Sequence, residues 1–183
     1  MNQFYAYHVV TDRPMEVGQQ IVFNEKYHSG VYKRVMEKLP IVQDIYTNLD
    51  KYIERKLEHH TAVALRELAL EEVRKKSYPV YPSRMSCLYV CESIEEAARW
   101  AEFFVRLGRP TYHIVKLKVR GNRFVGDANN CFDGTIYKQK NFELAEQYWI
   151  NKSNLHGEEP IDEILVDGNI EVIGIVEEIN QNI

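Results

Sequence analysis

Between residues 87 and 106 the hydrophobic period of the chain switches from a strand-like run to a helical one, and the junction carries its own stop signal. Cys87-Leu88-Tyr89-Val90-Cys91 is a short apolar run with the length and β-rich composition of a buried strand. Ser93 then stands three residues before Glu96. The Ser93 hydroxyl can accept from the Glu96 N–H while the Glu96 carboxylate accepts from the Ser93 N–H, a capping box that predicts a helix from Ile94. Ile94, Ala97, Ala98, Ala101 and Phe104 or Val105 recur at helical spacing, with Glu95, Arg99, Glu102 and Arg106 largely on the other face. Gly108 and Pro110 end the helix. A strand feeding a capped helix is a frequent seat for a ligand.

The rest of the chain supplies what such a unit packs against. Residues 3–10, rich in aromatic and β-branched side chains and carrying His8, read as a strand, and residues 20–23 as a second extended piece. A short helix is expected over 31–38. From 41 to 78 there is no Gly or Pro, and apolar residues recur at helical spacing, which predicts one or two helices inserted in the fold. Their break is expected at Glu58-His59-His60-Thr61, with Thr61 capping a second helix over 62–76. Strands are expected over 111–119 and 123–127 about a Gly121-Asn122 turn, and over 161–166 and 170–179 about Asp167-Gly168-Asn169. Between these pairs lie a polar loop, 127–140, a short helix over 142–150 capped by Asn141, and a second loop over 151–159. The order is α+β, a mixed and mostly antiparallel β core with a helical insertion, in a single domain over residues 1–183.

Charge and cysteine usage narrow the function classes. A formal net charge of −4 speaks against a protein held to nucleic acid by phosphate neutralisation, though it leaves room for a local basic patch. Three cysteines in no framework spacing point to a reducing, cytoplasmic setting, and no apolar run is long enough to cross a bilayer. GxGxxG and GxxxxGK[ST] are absent. His59-His60 and Cys87/Cys91 lack the further ligands a metal set needs, and no Ser-His-Asp or Cys-His arrangement can be picked out.

Three pieces together resemble the ADP-ribosyltransferase superfamily, in the branch whose active site is a His, a Tyr and a Glu. They are Tyr7-His8-Val9-Val10, the segment from Leu88-Tyr89-Val90-Cys91 through Trp100, and Asp162-Glu163-Ile164-Leu165-Val166 followed by Ile170-Glu171-Val172. The chain as a whole also resembles a bacterial domain family of unknown function. The resemblance implies an ADP-ribosyltransferase-like fold that takes NAD as a substrate. In it His8 hydrogen-bonds an NAD ribose, Tyr89 stacks on nicotinamide, and Glu163 bonds the nicotinamide-ribose 2′-hydroxyl. The chain departs from the family pattern at Leu88, where a Gly is usual, and at Cys91, where an Ala is usual.

Each role has a bland counterpart. His8 and Tyr89 taken singly read as core or strand packing. Glu163 is more telling, because a carboxylate entering an apolar strand has to be paired, at an edge, or functional. Arg84 and Ser86, just ahead of the Tyr89 strand, are candidates to hold a diphosphate or ribose, as is Arg13 after the first strand; the alternative for each Arg is a surface ion pair with one of the many glutamates. Glu146, Tyr148 and Trp149 read as helix docking. The expected partner is a small dinucleotide with an unassigned acceptor, with no membrane and with nucleic acid disfavoured. The rivals are a non-catalytic nucleotide- or protein-binding relative, and an RNA 2′-phosphotransferase-like enzyme, which the carboxylate and the net charge disfavour.

Overall fold

A run of aromatic and β-branched residues buried on both faces sets the first strand of the structure, a computed structural model that describes residues 2–24, 26–151, 153–154 and 157–179. Ala6 and Val10 are buried on one face of β1 (Asn2–Thr11) and Val9 on the other. The chain divides into two compact units, residues 1–27, 87–124 and 163–183 forming the first and residues 28–86 and 125–162 the second. The helices expected as an insertion over 41–78 belong to the second. Among the described residues no helix is long and apolar enough to cross a membrane.

In the first unit β1 pairs antiparallel with β4 (Thr111–Gly121), which pairs antiparallel with β7 (Gly168–Glu178), which pairs with the short β2 (Gln20–Phe23). The order is β1-β4-β7-β2. Helix α4 (Ile94–Arg106) begins at the expected capping box, with both reciprocal bonds made, and packs Ala97 and Ala101 against Val9, Cys91 and Ile114. Small residues on that stripe let the helix approach the strands closely, and each large aliphatic side chain buried beneath it contributes about 1.5–3 kcal/mol. The strand ahead of the helix, β3 (Leu88–Val90), is shorter than the apolar run. It pairs antiparallel with β6 (Asp162–Val166) through Leu88↔Val166, Tyr89↔Leu165 and Val90↔Ile164.

Both expected hairpins are corrected. β4 and β5 (Arg123–Asp127) belong to different sheets, as do β6 and β7. Gly121-Asn122 and Asp167-Gly168 are instead two corners laid against each other. Asn122 N–H donates to Asp167 Oδ1 at 2.8 Å and Asp167 N–H to the Asn122 carbonyl at 3.3 Å. A Cβ on Gly121 would sit 2.0 Å from the Asp167 carbonyl oxygen, so the turn residues are there for backbone contact.

The second unit is mainly helical: α1 (Gly30–Glu37), α2 (Leu39–Thr47), α3 (His59–Ser77) and α5 (Lys138–Trp149). Its core gathers Val35, Val42, Ile45, Ala64, Leu65, Met85 and Ile136. The break in 41–78 comes earlier than expected, after Thr47, and the cap of α3 is Glu58, not Thr61. The Glu58 carboxylate accepts from His60 N–H at 2.9 Å and Thr61 N–H at 3.1 Å. The hydrogen bond from the Lys38 ammonium, with those N–H groups, draws Glu58 down to about 2. Helix α5 likewise starts three residues before the proposed cap. Asn141 lies inside it, fully buried, bonding Thr135 and the Tyr46 hydroxyl. Within the loop expected over 151–159, Lys152, Leu155 and His156 lie outside the described residues.

Candidate functional site

Three strands of the first unit, β1, β3 and β6, carry the expected His, Tyr and Glu. The β1–β3 junction is a single antiparallel bridge in which Tyr7 N–H donates to the Cys91 carbonyl at 2.9 Å and Cys91 N–H returns the bond at 2.8 Å. Next to it the His8 Nδ1 lies 2.7 Å from the Tyr89 carbonyl oxygen. A carbonyl only accepts, so this contact assigns the ring hydrogen to Nδ1 and leaves the lone pair on Nε2. Among the described residues, Nε2 has no hydrogen-bond partner.

The environment keeps that ring neutral. Burial pushes His8 down to about 4, and the charges of Arg109 and His113 push the same way, against the bond to Tyr89, which favours the protonated ring. The residue still keeps an accessible edge. At neutral pH the site therefore presents an imidazole acceptor rather than an imidazolium donor.

Tyr89 and Glu163 share one face of the β3–β6 ladder. Tyr89 stands opposite Leu165, and Glu163 is two residues along from Leu165, so alternation makes the phenol and the carboxylate diagonal neighbours. Leu165 is fully buried whereas Tyr89 is 41% exposed and Glu163 partly so, which makes this a rim where an apolar interior meets solvent. The phenol and the carboxylate share that face and can stack an aromatic ring and stabilise a developing positive charge. The Tyr7–Cys91 pairing puts Tyr89 on the Tyr7 face of β1, so the neutral imidazole of His8, which alternates with Tyr7, meets them through the Tyr89 carbonyl at the β1–β3 junction rather than from the same face. Nucleophilic thiol chemistry at Cys91, the residue that bridges β3 to β1, is disfavoured, because burial pushes its thiol up to about 12.

Two residues that sequence reasoning passed over, His113 and Arg109, act electrostatically on His8. His113 faces Val10 in the β1–β4 ladder, making it a diagonal neighbour of His8 on the same face. Its Nε2 accepts from Met15 N–H at 3.2 Å, which ties down the loop after β1, and its Nδ1 lies 3.5 Å from Glu178. Arg109 lies 3.5 Å from Asp12, whose φ of 69° turns the chain out of β1. A histidine interrupting the apolar pattern of β4 was the available signal for His113. Arg109 had none, since its place depends on the end of β1 meeting the start of β4.

The remaining expected residues divide between the units. Arg13 is exposed just beyond Asp12 in the first unit. Arg84 and Ser86 lie in the second. Arg84 is buried, with its Nε 3.0 Å from Glu67, Nη1 2.7 Å from the Tyr148 hydroxyl and Nη2 3.7 Å from Cys131 Sγ. Burial alone would raise Glu67, and the guanidinium groups of Arg84 and Arg66 outweigh it and hold the carboxyl low. Arg84 is thus held in an ion pair, but a buried one rather than the surface pair expected as its alternative. Ser86 Oγ lies 2.6 Å from His28 Nδ1.

Comparison with curated proteins finds no match. Residues 6–180, a span that takes in His8, Tyr89 and Glu163, match the family described as "Protein of unknown function (DUF2441)", and the chain belongs to that family.

Proposed function

We propose that the protein binds NAD at the β1–β3–β6 rim and transfers its ADP-ribose to an acceptor or to water. The observation that carries the reading is the tie between His8 and the backbone of Tyr89, with Glu163 on the same face as the Tyr89 ring.

Each side chain then has a role that follows from its surroundings. Tyr89 offers its ring face to nicotinamide. His8, neutral with the hydrogen on Nδ1, accepts a ribose hydroxyl hydrogen at Nε2. Glu163 accepts from the 2′-hydroxyl of the nicotinamide ribose and faces the positive charge that grows on the sugar as the nicotinamide bond breaks. Nicotinamide leaves with the bonding electron pair, and the acceptor oxygen or nitrogen, or water, bonds to C1′ and gives up a proton. Because the sugar's charge develops only as that bond breaks, a fixed carboxylate there lowers the barrier more than it tightens ground-state binding.

The test is nicotinamide release from NAD, followed by chromatography, for the wild type and Glu163→Gln. The amide keeps the shape and removes the charge. Release is expected to fall at least a hundredfold with unchanged circular dichroism. Equal release by both proteins overturns the reading. A rise in melting temperature with NAD but no release assigns the rim to binding alone.

A further inference from the structure

The face of the β1–β4 sheet opposite His8 is covered by α4 at Val9 and Ile114, and beyond the helix it carries an organised surface to which the NAD reading gives no role. On β4, Lys116, Lys118 and Arg120 alternate with the buried Leu117 and Val119 and so project to one side. Opposite them on β1 stand Tyr7, Tyr5 and Gln3 in turn. Tyr5 is 56% exposed, and the Lys116 ammonium lies 5.4 Å from its ring centroid. Arg120 Nε donates to the neutral Gln3 amide oxygen at 3.1 Å. Among the described residues none of the three cations has a carboxylate at ion-pair distance. Glu171 faces Lys118 from β7 without forming such a pair. On the other side of Lys116 is Gly174, where nothing lies within 4 Å of the position a Cβ would take.

Three cations held two residues apart on a strand are about 6.8 Å from one to the next. That is close to the separation of neighbouring phosphates in an extended polynucleotide. Tyr7 packs against the α4 cluster, and the exposed Tyr5 ring among the charges supplies a face on which a base stacks whatever the sequence. An acidic peptide would use the cations and leave the Tyr5 ring idle, whereas a duplex hides its bases from it. We infer that this sheet face binds single-stranded nucleic acid, with Lys116, Lys118 and Arg120 on the phosphates and Tyr5 under a base. The net charge of −4 does not oppose this, since the range of such contacts is set by screening at roughly 10 Å rather than by the sum over the chain.

Fluorescence anisotropy of fluorescein-labelled twelve-nucleotide poly-uridine RNA, and of its oligo-thymidine DNA equivalent, tests the inference with the full chain. Binding of either is expected to weaken about eighteenfold between 50 and 200 mM salt, the fall for three phosphate contacts on a single strand. The Lys118→Ala, Arg120→Ala double variant flattens that dependence to about threefold. Tyr5→Ala weakens binding about tenfold without changing the salt slope, and Tyr5→Phe restores it. All these side chains are at the surface, and circular dichroism checks that the variants fold. Glu163→Gln leaves oligonucleotide binding untouched, so this inference and the NAD reading fail separately. Failure to bind either strand, binding indifferent to Tyr5→Ala, or displacement by poly-glutamate as readily as by unlabelled RNA overturns the assignment.

Discussion

His8 and Tyr89, 81 residues apart in the chain, are joined by a hydrogen bond from the His8 imidazole to the Tyr89 main-chain carbonyl at 2.7 Å. The bond does two things at once. It fixes the tautomer of the ring, and it anchors β1 to β3 beside their single backbone bridge. Nitrogen-15 NMR of the imidazole should therefore find one neutral form, with hydrogen on Nδ1, from pH 8 down to about 5. A ring that titrates near the ordinary 6.5, or that carries its hydrogen on Nε2, would remove the acceptor the site depends on.

The same depressed pKa has a signature in stability. The unfolded chain takes up a proton on His8 near 6.5, the folded protein only near 4, so between these values the unfolded state binds more protons. The stability linked to the neutral ring is fully present above pH 6.5 and is lost as the pH falls toward 4. Urea midpoints at pH 7.5 and pH 5 should drop further for the wild type than for His8→Gln, which has no proton to gain. Equal drops in the two proteins would contradict the assigned environment of the ring.

In the second unit the buried Arg84–Glu67 pair sets up a different outcome from the one a phosphate-binding arginine gives. Arg84→Met leaves the Glu67 carboxylate buried with Arg66 as its remaining cation, since Arg66 Nε lies 3.0 Å away and is 18% exposed. Removing one partner of a buried pair costs about 3–5 kcal/mol. Adding Glu67→Leu should recover most of that, because the stranded charge is gone and Arg66 can turn to solvent. Urea denaturation of the two variants checks the order. A loss below about 1 kcal/mol for Arg84→Met would show that the pair is not what holds Arg84 in place.

Local signals in the sequence were legible and non-local ones were not. The Ser93–Glu96 capping box needs four consecutive residues, and it forms as read. The strand around His8 and the apolar run at Tyr89 were visible from period and composition, but their adjacency depends on the strand order of the fold, which no local pattern encodes. Glu58 escaped notice as a cap because its longer side chain must curl back to reach the N–H groups, a geometry that Lys38 helps hold at 2.9 Å. Asn141 looked like a cap because asparagine favours that position. Its amide is taken up by Thr135 and by Tyr46, 95 residues away. Gly121-Asn122 and Asp167-Gly168 carried true turn chemistry, yet turn chemistry reports what the backbone does and not which strand it pairs with.

Those two glycines give the sharpest structural test. A side chain on Gly121 would begin 2.0 Å from the Asp167 carbonyl oxygen, and one on Gly168 would begin 2.4 Å from the Arg120 carbonyl oxygen. Both obstacles are backbone, so neither can swing aside as a flexible side chain would. Gly168 carries the further burden of φ 82°, a conformation in which an added Cβ is strained. Gly121→Ala and Gly168→Ala should each cost several kcal/mol, well above the ordinary loss of about 1 kcal/mol for a point substitution. Gly174→Ala, with open space where its Cβ would go, serves as the matched control and should stay near the wild type. If the two corners were free hairpin ends, Gly121→Ala would behave like that control, and thermal unfolding of the three variants side by side separates the two architectures.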